Sequence, residues 1–323
     1  MKHIPVLLEE TLAVLAPPDG GSASECAEKS ALWLDCTFGG GGHSRALLER
    51  GGGNSVLYAI DRDPAALPRA EAFKQEFGSR FHFFALPFSR LDEVGGAPYD
   101  GILMDLGVSS FQLDDDSRGF SFRKEAHADM RMDTRTGTDA AEFLETAPRE
   151  RLVEAVRDFG EEPHWRRVVD AIEDARGSGR LATTTSLAAL VEKAAGKRPG
   201  EKIHPATRTF QGLRIAVNDE LGELRAALPK AFAALKPRGT LAVITFHSLE
   251  DRIVKRFFNE LCGRPVSRAD SRPQDERSRV AEPAVHKALR PSEAEISANP
   301  RSRSAKLRAV RKLPQNTQPS VSR

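Results

Sequence analysis

Four consecutive glycines stand directly behind an apolar run, and few folds accommodate that arrangement. The run is ALWLDC, ending at Asp35 and Cys36; Thr37 and Phe38 lead into Gly39, Gly40, Gly41 and Gly42, and His43 precedes SRALLER. A short apolar run with no helical period reads as a buried strand, and SRALLER reads as a helix. Glycines between the two cost backbone entropy, but they let the chain turn tightly and let a ligand lie against the main chain. The helix start then offers free N–H groups and a partial positive charge. Such groups hold a phosphate or a carboxylate.

The same rhythm continues downstream. SVLYAI is a second strand with Asp61 at its end, AALPRAEAFKQEF a helix, RFHFFAL a third strand, and YDGILMDLG a fourth that closes at Asp105. This alternation is the signature of an open α/β sheet. Ligands gather at the carboxyl ends of such strands, so Asp35, Asp61 and Asp105 are expected along one edge. Asp61 lies 26 residues beyond Asp35, where a carboxylate accepts both hydroxyl hydrogens of a ribose. The G-x-G-x-x-G register of nicotinamide enzymes fails, because its last position falls on Ser44 or Arg45. No Lys-Ser or Lys-Thr follows the glycines, which excludes a P-loop. A methyltransferase using S-adenosylmethionine fits best. Another nucleotide-cofactor enzyme and a purely structural glycine turn stay open.

After Asp105 the rhythm breaks. Residues 111–135 are dense in Asp, Arg, Phe and Met, and EFLETAPRERLVEAVRDFG and WRRVVDAIEDAR look helical. Three parts are therefore expected: 1–108, an inserted and mostly helical 109–212, and 213–323, where the α/β pattern resumes. LRIAVNDELGELRAALPKAFAALK reads as one long helix, GTLAVITFHS as a late strand, DRIVKRFFNEL as a helix, and 263–285 as polar loop or disorder. Residues 6–15 read as a helix and 17–30 as a Pro/Gly/Ser-rich loop.

Net charge is only +2, so nucleic-acid binding has no global signature. Arg301–Arg323, however, holds seven Arg or Lys and no Asp or Glu. It reads either as a tail drawn to phosphates or as a solvated terminus. Nothing resembles a signal peptide or a membrane span. Cys26, Cys36 and Cys262 form no CxxC pair and no zinc-like cluster with His. A cytoplasmic protein without metal and without membrane contact is expected.

Blocks in order along the chain carry a resemblance: HIPVLLEE, LDCTFGGGGHSRALLE, LYAIDRDP, DGILMDLGVSSFQLDDDSRGFSFR, DMRMD, HPATRTFQGLRIAVNDEL, ITFHSLEDRIVKRFF and NPRSRSAKLRAV. Together they resemble the RsmH (MraW) family, the 16S ribosomal RNA cytosine-N4 methyltransferases. The resemblance implies a class I S-adenosylmethionine-dependent methyltransferase, a Rossmann-like open sheet interrupted by a helical RNA-recognition domain. It implies transfer of a methyl group to N4 of cytidine 1402 of 16S rRNA, near the decoding centre. By the same likeness Gly41, Gly42, His43, Asp61, Phe88, Asp105 and Gln112 contact the cofactor. The chain departs modestly from the family: residues 17–30 are longer and more polar, and Gly40 stands where Ser or Arg is common.

The cytosine amine is a poor nucleophile, because its lone pair is delocalised into the ring. An acceptor on its protons and close positioning are what a site must supply. Asp105, Ser109 and Ser110, with the Gly107 backbone, are the candidates, and His247 is expected near the site mouth as a proton relay, an RNA contact or a structural histidine. Methylation at carbon 5 would need a cysteine thiolate, and none of the three cysteines has that setting. The aromatic motif of DNA amine methyltransferases is missing after Asp105. A binding-only assembly factor remains the non-enzymatic alternative.

For RNA, Arg118, Phe120 and Arg123 mix guanidinium and aromatic groups, as single-strand binders do. His204 and Arg208 sit in HPATRTFQ, and Arg252, Lys255 and Arg256 share one helix face. Each of these also has a structural reading, as an anchor of the inserted domain or a solvated face. The expected partner is 16S rRNA in the small subunit or a late assembly intermediate, with a homodimer left open.

Overall fold

The computed structural model describes residues 5–16, 30–196 and 204–314; the loop expected at 17–30, and Cys26 within it, lie almost wholly outside them. The described chain divides into two compact units, one drawn from Met1–Gly107 and Glu223–Arg323, the other Val108–Gly222.

The first unit is built on seven strands: β1 (Leu32–Asp35), β2 (Val56–Ile60), β3 (Phe81–Phe84), β4 (Tyr99–Asp105), β5 (Leu235–Thr245), β6 (Ala281–Pro283) and β7 (Lys306–Lys312). Their order is β3-β2-β1-β4-β5-β7-β6. Strands β1 to β5 run parallel, while β7 runs antiparallel to β5 and to β6. The order reverses between β1 and β4, and the crevice outside the carboxyl ends opens there.

Side-chain alternation explains why these strands read as unbroken apolar runs. Leu34, Ile102, Met104, Leu241 and Val243 join one core with Leu224, Leu228, Val254 and Phe258 of the helices Glu220–Ala233 and Ser248–Leu261. Trp33, Leu103, Ala242 and Ile244 join another with Leu12, Leu47 and Phe73 of the helices Leu8–Leu15, Gly42–Arg50 and Leu67–Phe77. A parallel sheet covered on both faces needs apolar residues at every position.

Four expectations differ from the structure. The segment expected as a single helix from residue 213 breaks at Asp219, which adopts φ 47°, a left-handed conformation that Asp tolerates better than most residues. The helix Ala206–Asn218 ends there, and the helical unit extends to Gly222 rather than 212. The basic C-terminal stretch is no free tail over its first half. Lys306–Lys312 is β7, between β5 and β6 in the sheet, with Leu307, Ala309 and Val310 buried. Three of its four cations are already engaged: Lys306 and Arg308 bond Asp251, and Lys312 donates to the carbonyls of Phe232, Ala233 and Leu235. Finally, 263–285 carries β6, and Asp270 in it is ringed by Arg272 and Arg277.

The second unit contains the helices Ala140–Thr146, Arg149–Val153, Trp165–Asp174, Thr184–Ala195 and Ala206–Asn218, with a π-helical turn at Glu154–Phe159. Val156, Val169, Ile172, Leu187, Val191 and Leu213 make its core. Close backbone packing joins the last helix to the π turn. A Cβ at Gly212 would lie 2.0 Å from the Ala155 carbonyl oxygen and 2.7 Å from the Gly160 nitrogen.

Candidate active site

The glycine turn is placed by a buried carboxylate. Asp35, at the end of β1 and 1% exposed, accepts from Ser44 Oγ at 2.6 Å and from the Thr37 backbone N–H at 3.0 Å. Thr37 Oγ1 in turn accepts from the Asp105 backbone N–H at 2.7 Å. Asp35 therefore ties the helix Gly42–Arg50 to two strand ends, and it is buried in that work. It is a girder of the edge rather than an open ligand group. Thr37 was not anticipated; its place two residues past the end of β1 was the available signal.

Gly41 is the N-cap of that helix at φ 75°, and no side chain caps the first turn. A Cβ at Gly41 would fall 2.7 Å from the Phe73 ring, so glycine is required sterically as well as conformationally. The uncapped N–H groups of the helix start are donors for an anion. Asp61, past the end of β2, accepts from the Gly39 N–H at 2.7 Å and the Asp63 N–H at 2.9 Å, one on each oxygen. Each oxygen keeps a lone pair. Burial pushes this carboxyl up to about 6, against the lowering pull of those two N–H groups. Arg69, another residue not singled out from the sequence, steadies the turn by donating to the Gly39 carbonyl at 2.9 Å. Phe88 opens a 3-10 turn after β3 and packs half-buried on the core.

Asp105 ends β4 with a carboxyl that is only partly satisfied. Its Oδ1 is shut from solvent without a hydrogen-bond partner, and its Oδ2 lies 3.7 Å from His43 Nδ1. Burial, then the charges of Asp35 and Glu250, hold it well above the usual carboxylate range. His43 is buried, with Nε2 3.0 Å from the Val6 carbonyl oxygen. His247 precedes the helix Ser248–Leu261, its Nε2 3.1 Å from Glu250 Oε1 without hydrogen-bond geometry. Glu250 accepts from the backbone N–H groups of Phe246 and His247. Cys36 and Cys262 are buried free thiols, and burial raises both thiols, so neither is a thiolate nucleophile.

The inserted unit carries the remaining candidates. Ser109 and Gln112 form a capping box: Ser109 Oγ accepts from the Gln112 N–H, and Gln112 Oε1 accepts from the Ser109 N–H. The Ser109 oxygen is thus engaged as an acceptor at the helix start. Ser110 begins the short helix that follows. Arg118 is half-buried and donates to the carbonyls of Arg131 and Met132, which makes it a brace of its own loop. Phe120 and Phe122 pack on the helical core, and Phe122 lies 4.7 Å from the His204 ring. His204 Nδ1 accepts from the Ala206 N–H at the start of its helix. Arg123 is exposed and Arg208 half-buried. In the sheet unit Arg252, Lys255 and Arg256 are exposed on one helix.

The parallel strands with an antiparallel β7 inserted beside β5, and a glycine turn leading from β1 into a helix, define a class I methyltransferase, an enzyme that draws its methyl group from S-adenosylmethionine. The residues present suit that cofactor: an uncapped helix start for its carboxylate and an acid with spare lone pairs at the end of β2. More narrowly, residues 1–313 match the MraW methylase family, and the chain belongs to it. A ribosomal RNA small subunit methyltransferase H of Chelativorans sp. is 48% identical over 313 residues, covering 96% of this chain and 87% of that one. The protein of that name from Methylobacterium nodulans is 46% identical, covering 95% and 89%. That of Thermomicrobium roseum is 46% identical over 322 residues, covering 96% and 94%. No helix among the described residues is long and apolar enough to cross a membrane.

Proposed function

We propose that the protein methylates the exocyclic N4 of cytidine 1402 in 16S rRNA. The observation that carries this reading is Asp105: an acid at the end of β4, beside the glycine turn, with one oxygen left without a partner. The relatives, named as small-subunit ribosomal RNA methyltransferases, support the substrate class.

In this reading the N–H groups at Gly41, Gly42 and His43 hold the methionine carboxylate, and Asp61 accepts the ribose hydroxyls. Phe88 offers an apolar face to adenine. Gln112 contributes through its amide, since its Oε1 serves the capping box. S-adenosylmethionine supplies an electrophilic methyl group when bound. Asp105 accepts a hydrogen bond from the amine, which raises electron density on nitrogen, and it receives the proton that nitrogen sheds. Ser110 and the backbone at Gly107 orient the amine, Ser109 shapes the turn that presents them, and His247 orders the start of the helix Ser248–Leu261.

The inserted unit recognises RNA through Arg123, Arg208 and His204, on a frame kept by Arg118 and Phe120. Arg252, Lys255 and Arg256 add phosphate contacts. The substrate is the small subunit or a late assembly intermediate, bound in the cytoplasm by a monomer or homodimer. Base-resolved mass spectrometry of small-subunit RNA, supplied naked and as isolated subunits with labelled S-adenosylmethionine, tests the assignment. Label on the amine of that cytidine is expected. Label on carbon 5 or on another base overturns it.

A further inference from the structure

We propose that the inserted unit carries a stacking platform for an unpaired nucleotide, made of the Trp165 ring with the guanidinium groups of Arg157 and Arg166. The inference rests on the reading of the substrate as ribosomal RNA and adds a contact surface to it.

The platform follows from two neighbouring elements. The helix Trp165–Asp174 buries Val168, Val169 and Ile172. Trp165 stands three and four residues before the two valines, so it shares their face, and its half-buried ring packs on the helical core. Arg166 and Arg167 step off that face and are exposed. Arg157 arrives from the π-helical turn Glu154–Phe159, a kind of turn that has poorer hydrogen-bond geometry and recurs at functional sites. The guanidinium carbon of Arg166 lies 4.3 Å from the centre of the Trp165 ring, and that of Arg157 lies 5.3 Å away. Both are within cation–π range.

Anchoring the helix accounts for the buried side of the ring. It does not account for two cations gathered on it. The charges around them leave positive charge to spare. Arg157 meets Asp158 at 2.7 Å, but the two side chains are 48% and 46% exposed, and water screens such a pair. Asp170 and Glu173, the acids further along the same helix, are taken by Arg149. Among the described residues, Arg166 and Arg167 hold no carboxylate.

An aromatic ring flanked by guanidinium groups suits single-stranded RNA. An unpaired base stacks on the ring or on a guanidinium plane, and arginine takes the adjoining phosphate. A base that slides onto Trp165 displaces one guanidinium, which then turns to that phosphate. Exposed cation–π contacts are weaker than base–aromatic stacking, so the exchange runs toward the RNA. Duplex RNA keeps its bases paired and cannot make it.

The chain has two tryptophans, and Trp33 is only 2% exposed, so a change in emission on adding RNA reports Trp165. The full chain is titrated with an oligocytidylate of about ten nucleotides, with an RNA duplex of equal phosphate number, and with inorganic polyphosphate. Only the oligocytidylate is expected to quench Trp165. Trp165→Leu keeps an apolar side chain against the core and should weaken oligocytidylate binding about tenfold, whereas Trp165→Phe should restore most of it. Arg166→Ala and Arg167→Ala should each lower the salt slope of binding by about 0.7. They touch no core packing, so their result stands whatever Trp165→Leu does to stability. With isolated small subunits as substrate, the KM of Trp165→Leu should rise about tenfold while its affinity for S-adenosylmethionine stays native. Equal oligocytidylate affinity in the native, Leu and Phe proteins makes Trp165 an anchor of its helix and overturns the platform. Equal quenching by polyphosphate makes the patch a plain charge for any polyanion and also overturns it. Quenching by RNA without methyl label on any base removes the N4 assignment and leaves the platform standing.

Discussion

The open-sheet unit and the helical unit are held together by different means. In the first, the decisive contacts are short and lie at strand ends: Asp35 to Thr37 and Ser44, and Asp61 to Gly39 and Asp63. In the second they bridge distant parts of the chain. Asn218, buried in the last helix, accepts from the Met132 N–H and donates to the Met130 carbonyl, and Gly212 lets that helix lie against the backbone of the π turn. One unit sets several of its polar groups along an edge where chemistry can use them. The other spends them on fixing its own loops. Substitutions in the two should accordingly fail in different ways.

The largest difference is expected at Asp105. Replacing it with Asn should lower the single-turnover rate by about 10²-fold or more while the melting temperature holds or rises, because a buried, poorly paired acid is removed. Unfolding of that variant at assay temperature would show that the sheet edge depends on Asp105 for stability, and the contrast would collapse.

Gly212→Val should show the opposite signature. A side chain forced against the Ala155 and Gly160 backbone costs about 1–3 kcal/mol, read as a lower urea midpoint, with cofactor affinity unchanged in calorimetry at low temperature. An equal loss of cofactor binding would mean that the two units do not fail separately.

A smaller effect is expected from pH. Burial pushes the Asp61 carboxyl up from its ordinary value of 3.8 to about 6. Its protonated form loses acceptor capacity, so S-adenosylmethionine affinity should be level above pH 7 and fall about tenfold between pH 6 and pH 5. The same shift acts in reverse on stability. The folded state binds the proton more tightly than the unfolded chain, so this group's contribution is fully present below 3.8 and is lost as pH rises through about 6. Calorimetry and thermal melts across pH 5–8 read both trends. Affinity that rises on acidification would place the ribose elsewhere.

The smallest effect belongs to the exposed helix face. Lys255→Ala and Arg256→Ala should leave stability within about 0.5 kcal/mol, yet each should reduce the salt dependence of RNA binding by about one unit of slope. An unchanged slope would return them to the status of solvated residues.

How much of this was readable in the sequence also differs between the units. The glycine turn, Asp61 and Asp105 were legible because strand ends and glycines follow local rules. The break at Asp219 was not: NDE contains no glycine or proline, and the helical period runs through it. What stops the helix is a left-handed aspartate, with Arg214 paired across it to Glu220. Strand β7 was hidden by its own charges, because KLRAVRK reads as a basic tail until Asp251 is known to receive Lys306 and Arg308. The Ser109–Gln112 box was visible as S-x-x-Q and went unread in favour of chemistry.

The place of β7 has a consequence for how the protein is made. It lies between β5 and β6, both of which are synthesised before it. As a ribosome delivers the chain from its N-terminus, β4 must wait for the whole inserted unit to pass before β5 arrives. The flank of β5 then stays open until Lys306–Lys312 emerges, and β6 has no neighbour in the sheet until that moment. Domains that complete early can fold during translation. The inserted helices have that opportunity, whereas the sheet is completed only when β7, the last of its strands, has left the tunnel.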